Sequence, residues 1–221
     1  MSKFRPSLLE AETAAARIDA LCEYIEFWLG PRKKIYGELA RAVAKRSLPM
    51  PLKRLYEFAG RWPNWDDNQP MEYAVPALSH QDSFVTLDHL KNENDGKVVF
   101  LYENQGVWDC RTLPDGDDPP VWCYGDQMDE NDNWYTGERR VCDSLSRFLV
   151  SFVLQELTLG SRLYLCDESL SALFDSQRHL AVPVWTHGPY VHSFKPTRLL
   201  LMGKRARCKF ARGLLLLCRE P

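Results

Sequence analysis

Residues 97–112 read KVVFLYENQGVWDCRT, and this stretch decides the fold. Its first half, from Val98 to Tyr102, is a nearly continuous run of apolar β-forming residues, as expected of a central strand. Residues 104–106, Asn-Gln-Gly, follow as a turn, because glycine accepts positive φ without strain. Residues 107–112 then return as the second arm. The sequence therefore predicts a β-hairpin in the middle of the chain.

Further strands and a helix are predicted on the C-terminal side of this hairpin. Residues 121–124 are predicted to form a third strand, and residues 133–136 a short fourth. Asp143 or Ser144 caps a helix that runs to Leu159, with apolar residues at three- and four-residue spacing. The rest of the chain is mixed, with a short helix at 168–174 and strands at 180–185, 198–202 and 213–218.

Three helices are predicted before the hairpin. The first starts at a capping box, Ser7 to Glu10, and continues to Trp28. The second covers residues 33–46 and the third covers residues 52–59. The residues expected to face inward are Ile35, Leu39 and Val43 in the second helix and Leu52, Leu55 and Phe58 in the third.

This order of elements predicts the fold class. Helices, a strand meander, a helix and further strands are typical of an α+β fold with a mainly antiparallel mixed sheet flanked by helices. We expect an N-terminal helical extension at residues 1–47 and an α+β domain at residues 48–221, together forming one compact unit. A chain of 221 residues buries about 70% of the surface of its unfolded form, so its core needs no disulfide or metal.

The cysteines and the hydropathy pattern indicate a compartment. The chain has seven cysteines, an odd number, and no stretch resembles a secretion signal. The longest aliphatic run, residues 214–217, is far shorter than the roughly 20 residues of a membrane span. We therefore expect a cytoplasmic protein with free thiols and without membrane association. The oligomeric state does not follow from the sequence.

No recognisable catalytic constellation occurs in the sequence. The five histidines and seven cysteines form no nucleophile–base motif, and no glycine loop for phosphate or dinucleotides is present. Zinc-binding cysteine knuckles are also missing. A calcium loop that starts at Asp115 fails, because Pro120 stands where glycine is required. We therefore predict no enzyme activity, no catalytic residue, no metal and no cofactor.

Charge is distributed unevenly along the chain. Residues 61–143 hold 18 acidic and 6 basic residues, although the whole chain has a net charge of only −2. From residue 115 to residue 132 there are seven acidic residues and no Lys or Arg, and aromatic residues are interleaved with them. Aromatic anchors within a charged rim are typical of protein interfaces. The residues predicted to bind a partner are Asp115, Asp117, Asp118, Asp126, Asp129, Glu130, Asp132, Trp108, Trp122 and Trp134.

The chemistry of this acidic segment indicates its partner. A protein with a basic surface would suit it, since opposite charge speeds association. A solvated acidic loop without a binding role would explain the same residues equally well. Nucleic acid is not expected as a partner, because the acidic segment would repel phosphate. The basic clusters at residues 32–34 and 204–209 are interpreted as a helix start and an exposed hairpin turn.

Four segments follow one another in a characteristic order. They are Leu48-Pro49 with the short helix at 52–60, the strand and turn at 98–106, the stretch at 117–122 and the helix start at 144–149. Together they resemble the SUKH superfamily, which contains bacterial toxin-immunity proteins and Knr/Smi-type cell-wall regulators. The resemblance covers residues 48–159. It implies a mixed sheet flanked by helices, no cofactor and no catalysis. It also implies an intracellular inhibitor that docks on a toxin domain, often a nuclease or deaminase.

Two other classes of function stay open. One is a general regulatory or interaction module of the same family without a toxin partner. The other is a Cys-dependent enzyme, which a cysteine of depressed pKa beside a histidine in a concave pocket would favour.

Overall fold

The computed structural model describes Leu8, residues 11–63, 72–128 and 134–160, and the backbone of five later strands. The α-helices within these residues are α1 (Ala14–Leu29), α2 (Ala40–Val43), α3 (Met50–Ala59) and α4 (Leu145–Leu159). Short 3₁₀ turns lie at Lys34–Tyr36, Pro76–Leu78 and Leu87–His89. None of the described helices combines the length and the hydropathy that crossing a lipid bilayer requires.

The first sheet contains six strands. They are β1 (Ser83–Phe84), β2 (Lys91–Asn92), β3 (Val98–Tyr102), β4 (Trp108–Thr112), β5 (Val121–Met128) and β6 (Trp134–Cys142). Strands β1 and β2 both pair with β3, and the sheet continues through β4 and β5 to β6, with every pair antiparallel. The predicted β3–β4 hairpin is confirmed and lies in the middle of this sheet.

The second sheet contains the five strands that the structure describes after residue 160. They are β7 (Tyr164–Asp167), β8 (Val182–Pro183), β9 (Tyr190–Phe194), β10 (Leu199–Lys204) and β11 (Leu214–Cys218). They pair antiparallel in the order β7-β11-β10-β9-β8. The α+β fold class is therefore confirmed, with the described strands in two sheets instead of the single sheet expected. The helix predicted at 168–174 lies outside the described residues.

An aromatic cluster joins the first sheet to the helices. The rings of Phe100 in β3 and Phe148 in α4 meet edge to face, with centroids 5.8 Å apart. Phe152, one turn further along α4, stacks on Phe148 and lies 6.1 Å from the ring of Phe84 in β1. Tyr56 of α3 stacks on Phe84 at 5.2 Å. Because these side chains come from two strands and two helices that are far apart in the chain, they fix α4 against the hairpin.

Helix α1 begins at Ala14, and the described residues 11–13 before it are not helical, so the predicted continuous helix from residue 7 to Trp28 is interrupted there. Thr13 is its N-cap, and the Thr13 side chain accepts a 3.2 Å hydrogen bond from the backbone nitrogen of Ala16. Ser7 and Glu10, the predicted capping box, lie outside the described residues. Helix α1 packs against both α3 and α4, and its buried residues belong to the same core as theirs.

The prediction of one helix over residues 33–46 is wrong. This segment contains the 3₁₀ turn at Lys34–Tyr36, an extended stretch, and the four-residue helix α2. Ile35 and Leu39, which were expected to face inward, are 74% and 52% exposed, whereas Val43 is buried. The apolar spacing of these three residues therefore did not reflect a buried helical face.

Contacts with the end of α3 explain why this segment is not a helix. The Arg32 side chain donates hydrogen bonds of 2.9 Å to the carbonyl oxygens of Glu57 and Phe58. A cation there satisfies carbonyls that the helix end leaves without partners. Gly37 passes so close to the same helix end that a Cβ atom would lie 1.8 Å from the Glu57 oxygen. The segment therefore wraps around the C-terminus of α3.

Strands β5 and β6 are longer than predicted, and they pair along almost their whole length. Their extension depends on Gly125, where strand β4 approaches closely. A Cβ atom at Gly125 would lie 2.2 Å from the backbone oxygen of Val107, and the residue has a φ of +145°. Glycine is required for both reasons.

Candidate functional site

The first sheet has one face towards the helices and one polar face. On β4, Cys110 and Thr112 are buried, whereas Asp109 and Arg111 alternate with them towards the other side. Residues directly opposite in an antiparallel pair share a face, so the register extends this face across the sheet. The polar face consists of Asp109 and Arg111 of β4, Trp122, Tyr124 and Asp126 of β5, and Thr136, Glu138 and Arg140 of β6.

Arg111 is held on the polar face by its own neighbours. Its guanidinium makes a two-point contact with Asp109, with Nε–Oδ1 and Nη2–Oδ2 distances of 2.6 and 2.9 Å. The hydrogen bond with Asp109 raises the pKa of Arg111 above its ordinary value, against the effect of burial. The same guanidinium lies 4.1 Å from the ring centroid of Tyr124, a favourable cation–π distance. This cation is therefore already satisfied within the chain.

Lys97 is held in a similar way beside Trp122. Its Nζ lies 2.8 Å from Asp95 and 3.0 Å from Glu138. It also lies 5.0 Å from the ring centroid of Trp122. Hydrogen bonding to Asp95 is the largest cause that raises the pKa of Lys97. Trp122, a predicted anchor, is thus partly covered by a cation of its own sheet.

Exposed apolar residues and a carboxylate come together where β5 runs towards the β5–β6 turn. Val107, Tyr124 and Tyr135 are 40%, 39% and 43% exposed. Asp126 lies beside Val107 and Tyr124 on the polar face, because its backbone nitrogen donates to the Val107 oxygen at 3.1 Å and its Oδ1 accepts a 2.5 Å bond from the Thr136 hydroxyl. Tyr135 alternates with Thr136 along β6 and therefore lies on the opposite face of the sheet. We call Val107, Tyr124, Asp126 and Thr136 the hairpin-end patch. It combines apolar area with a negative charge.

Three predicted partner-binding residues belong to the segment that joins β5 to β6. Asp129, Glu130 and Asp132 lie outside the described residues, so they stay a prediction. They are connected directly to the hairpin-end patch through the chain, because β5 ends at Met128 and β6 begins at Trp134.

Asp115, Asp117 and Asp118 lie at the opposite end of β5, in the loop that precedes it. The five steps from Val121 to Asp126 alone cover about 17 Å at the usual rise of a strand. Asp115 and Asp117 are exposed. The structure therefore divides the predicted acidic site into two groups at the two ends of one strand, a division that the sequence order did not reveal.

Asp118 differs from its acidic neighbours because it contacts the interior of the fold. Its carboxylate accepts hydrogen bonds of 2.6 Å from the Ser144 hydroxyl and of 2.7 Å from the backbone nitrogen of Ser146. The buried Arg17 of α1 lies 3.6 Å from the same carboxylate and donates a 2.5 Å bond to the Ser146 hydroxyl. Asp118 thus helps Ser144 to cap α4 and links that helix to α1.

The other two predicted tryptophans have different positions. Trp108 is half-buried and packs against the hydrophobic core on the helix side of the sheet. Trp134 begins β6 opposite Met128, and its side chain lies outside what the structure describes.

Sequence reasoning missed Val107 altogether. Its position next to the Asn-Gln-Gly turn was the available signal, because residues beside a turn tip are often exposed.

A groove of about 480 Å³ lies along the β3–β4 turn, with Tyr73, His89, Lys91 and Tyr102 among its lining residues. Cys123 is the described cysteine whose pKa is lowered, chiefly by a hydrogen bond with Cys110, and it does not line this groove. The cysteine–histidine pair that would favour an enzyme is therefore not assembled in this groove. Among the described residues, no three His, Cys, Asp or Glu side chains are grouped so as to hold a metal.

No family model matches this sequence, and searches of curated proteins and of solved structures found no match either.

Proposed function

We propose that this chain is a non-enzymatic, cytoplasmic protein-binding domain that docks the hairpin-end patch onto a partner with a basic surface. The observation that carries the proposal is the position of Asp126 beside the exposed side chains of Val107 and Tyr124 on the polar face. Tyrosines that expose a ring beside charged groups are common anchors of protein interfaces.

Electrostatics supports a basic partner. Two cations beside the polar face are paired within the chain, Arg111 with Asp109 and Lys97 with Asp95 and Glu138. In the described part of the chain, Asp126 takes part in no salt bridge, and its side chain is exposed. Asp126 therefore leaves a negative charge for a partner. The sequence adds Asp129, Glu130 and Asp132 next to it.

We further propose that the domain is an immunity protein of the SUKH type, which inhibits a nuclease or deaminase toxin by occluding its basic cleft. Support comes from the resemblance of residues 48–159 and from the order of α3, the β3–β4 hairpin and α4, which are the elements that the resemblance requires. A regulatory module of the same family would use the same surface, and the identity of the partner distinguishes the two functions.

The test is a comparison of variants at the two ends of β5. The partner isolated with the wild-type chain is immobilised, and association and dissociation rates are measured at low and physiological salt. Asp126→Asn should slow association at low salt, since exposed charges steer encounter and are screened beyond about 8–10 Å at physiological salt. Tyr124→Ala should speed dissociation, because an anchor is lost.

Asp115→Asn with Asp117→Asn is the matched control, because it removes two exposed charges at the other end of β5. We expect this double variant to bind as the parent does. Asp118 is left unchanged because of its contacts with α4. If the double variant loses binding while Asp126→Asn and Tyr124→Ala retain it, the hairpin-end patch is not the docking site.

A further inference from the structure

Two cysteines lie directly opposite each other at the centre of the first sheet. Cys110 of β4 pairs with Cys123 of β5 in the antiparallel register. The backbone nitrogen of Asp126 donates to the oxygen of Val107, its direct partner, so this pair is of the hydrogen-bonded kind. Hydrogen-bonded and non-hydrogen-bonded pairs alternate along an antiparallel ladder. Cys110 and Cys123 lie three positions from Val107 and Asp126, so they form a pair without mutual backbone hydrogen bonds.

That position suits a disulfide. In such pairs the Cα atoms are about 4.5 Å apart and the side chains approach closely. Disulfides join residues whose Cα atoms are about 4.4–6.8 Å apart. In the structure neither cysteine is disulfide-bonded, and a side-chain hydrogen bond joins the two thiols. The sulfur atoms are therefore already neighbours, and bond formation requires no change of strand register.

The two thiols are chemically unequal. Cys110 is buried, and burial raises its pKa well above the ordinary value. Cys123 is partly exposed, and the hydrogen bond from Cys110 lowers its pKa, while Arg139, directly opposite on β6, and Arg111 act in the same direction. The thiolate is the nucleophilic form of cysteine, and reactive cysteines occupy partly exposed, electropositive positions. Cys123 is thus suited to react first.

We propose that Cys110 and Cys123 are a redox pair, in which Cys123 reacts with a hydroperoxide and Cys110 resolves the product into a cross-strand disulfide. With hydrogen peroxide, the Cys123 thiolate attacks one oxygen, the O–O bond breaks, and hydroxide leaves with a proton as water. Cys110 sulfur then displaces the oxygen of the Cys123 sulfenic acid, which leaves with the Cys110 proton as a second water. Two thiols are oxidised and one peroxide is reduced. A dithiol reductant returns the disulfide to two thiols by thiol–disulfide exchange.

Peptide mapping of the full-length wild-type chain tests the proposal. The protein is treated with a small excess of hydrogen peroxide, free thiols are alkylated, and the chain is digested with trypsin without reduction. Cleavage after Lys97, Arg111 and Arg139 gives peptides 98–111 and 112–139, each with one cysteine. We expect these two peptides to be recovered as one disulfide-linked species, which disappears when dithiothreitol is added before alkylation.

Cysteine variants separate the roles of the two thiols. In Cys110→Ser the reaction should stop at a Cys123 sulfenic acid, which dimedone captures, and in Cys123→Ser neither product should form. Cys142→Ser is the matched control, because Cys142 is partly buried in the neighbouring strand β6, and this variant should form the 98–111/112–139 link as the wild type does. Recovery of both peptides in alkylated form while other cysteines are oxidised would overturn the proposal. So would a link from Cys123 to any cysteine other than Cys110.

Discussion

The carboxylate of Asp118 accepts a 2.7 Å hydrogen bond from the backbone nitrogen of Ser146, in the first turn of α4. This contact satisfies one of the amides that a helix start leaves without a partner and places negative charge at the positive end of the helix. The same carboxylate faces the buried Arg17 of α1. An acidic residue in an acidic loop therefore contributes to stability, while its neighbours Asp115 and Asp117 remain exposed.

The first prediction concerns this contact. Asp118→Ala should lower the free energy of unfolding by about 1–3 kcal/mol, because the Arg17 and Ser146 donors lose their acceptor in a largely buried site. Urea denaturation at neutral pH measures the effect. Asp117→Ala is the control, and an exposed residue of this kind should change stability by no more than about 0.5 kcal/mol. Equal effects of the two substitutions would contradict the assigned role of Asp118.

The second prediction concerns the aromatic cluster. Phe148→Ala and Phe152→Ala should each cost about 3–5 kcal/mol, the usual range for a buried phenylalanine. The cost arises because each ring contacts a strand residue, Phe100 or Phe84, and its removal leaves a cavity. Ile35→Ala serves as the control and should cost less than about 0.5 kcal/mol, since Ile35 is exposed. Wild-type stability in both phenylalanine variants would show that α4 is not part of the core.

The third prediction concerns Glu156, which is buried in α4. Its carboxylate accepts hydrogen bonds of 2.7 Å from the backbone nitrogens of His80 and Gln81, and it also faces Asp82. Burial, as the largest cause, raises the pKa of Glu156 from its ordinary value of 4.5 to about 8. Between pH 4.5 and about 8, the folded state therefore holds a proton that the unfolded state has released. The associated stability is fully present below pH 4.5 and is lost as the pH rises through 8.

The measurement is the free energy of unfolding as a function of pH. From about pH 6.5 to about pH 8.5 the wild type should lose about 2 kcal/mol more than Glu156→Gln, which has no proton to release. Asp82, whose pKa burial raises to about 6, contributes below this window. Parallel pH profiles for the wild type and the variant would contradict a protonated Glu156 in the folded protein.

The fourth prediction concerns the close approach of β4 and β5. Gly125→Ala should destabilise the protein severely and disrupt the hairpin-end patch, because the new methyl group would overlap the Val107 backbone. Gly106→Ala separates this overlap from backbone strain. Gly106 has a φ of +72° but no atom within 4 Å of its Cβ position. The Gly106→Ala substitution should therefore lower the free energy of unfolding by only about 1–2 kcal/mol. Thermal unfolding of both variants makes the comparison, and a Gly125→Ala variant as stable as Gly106→Ala would contradict the overlap.

The sequence by itself determined the local elements. The apolar run at 98–102, the turn residues at 104–106 and the helical spacing at 145–159 each act within a few residues, and the structure contains a strand, a turn and a helix at these places. The α+β class followed from their order. The acidic composition around β5 was equally visible, and it included Asp126 in a segment that combines charge with aromatic residues.

Tertiary structure alone decided how these elements meet. Strand register brings Cys110 opposite Cys123, and the length of β5 places Asp117 and Asp126 at opposite ends of the strand. The contact of α1 with α4 turns Asp118 inward, and the end of α3 holds residues 32–38 in a wrapped conformation instead of a helix. The physical reason is that these outcomes depend on contacts between residues far apart in the chain. Local periodicity carries no information about such contacts, whereas it does determine strands, turns and helices.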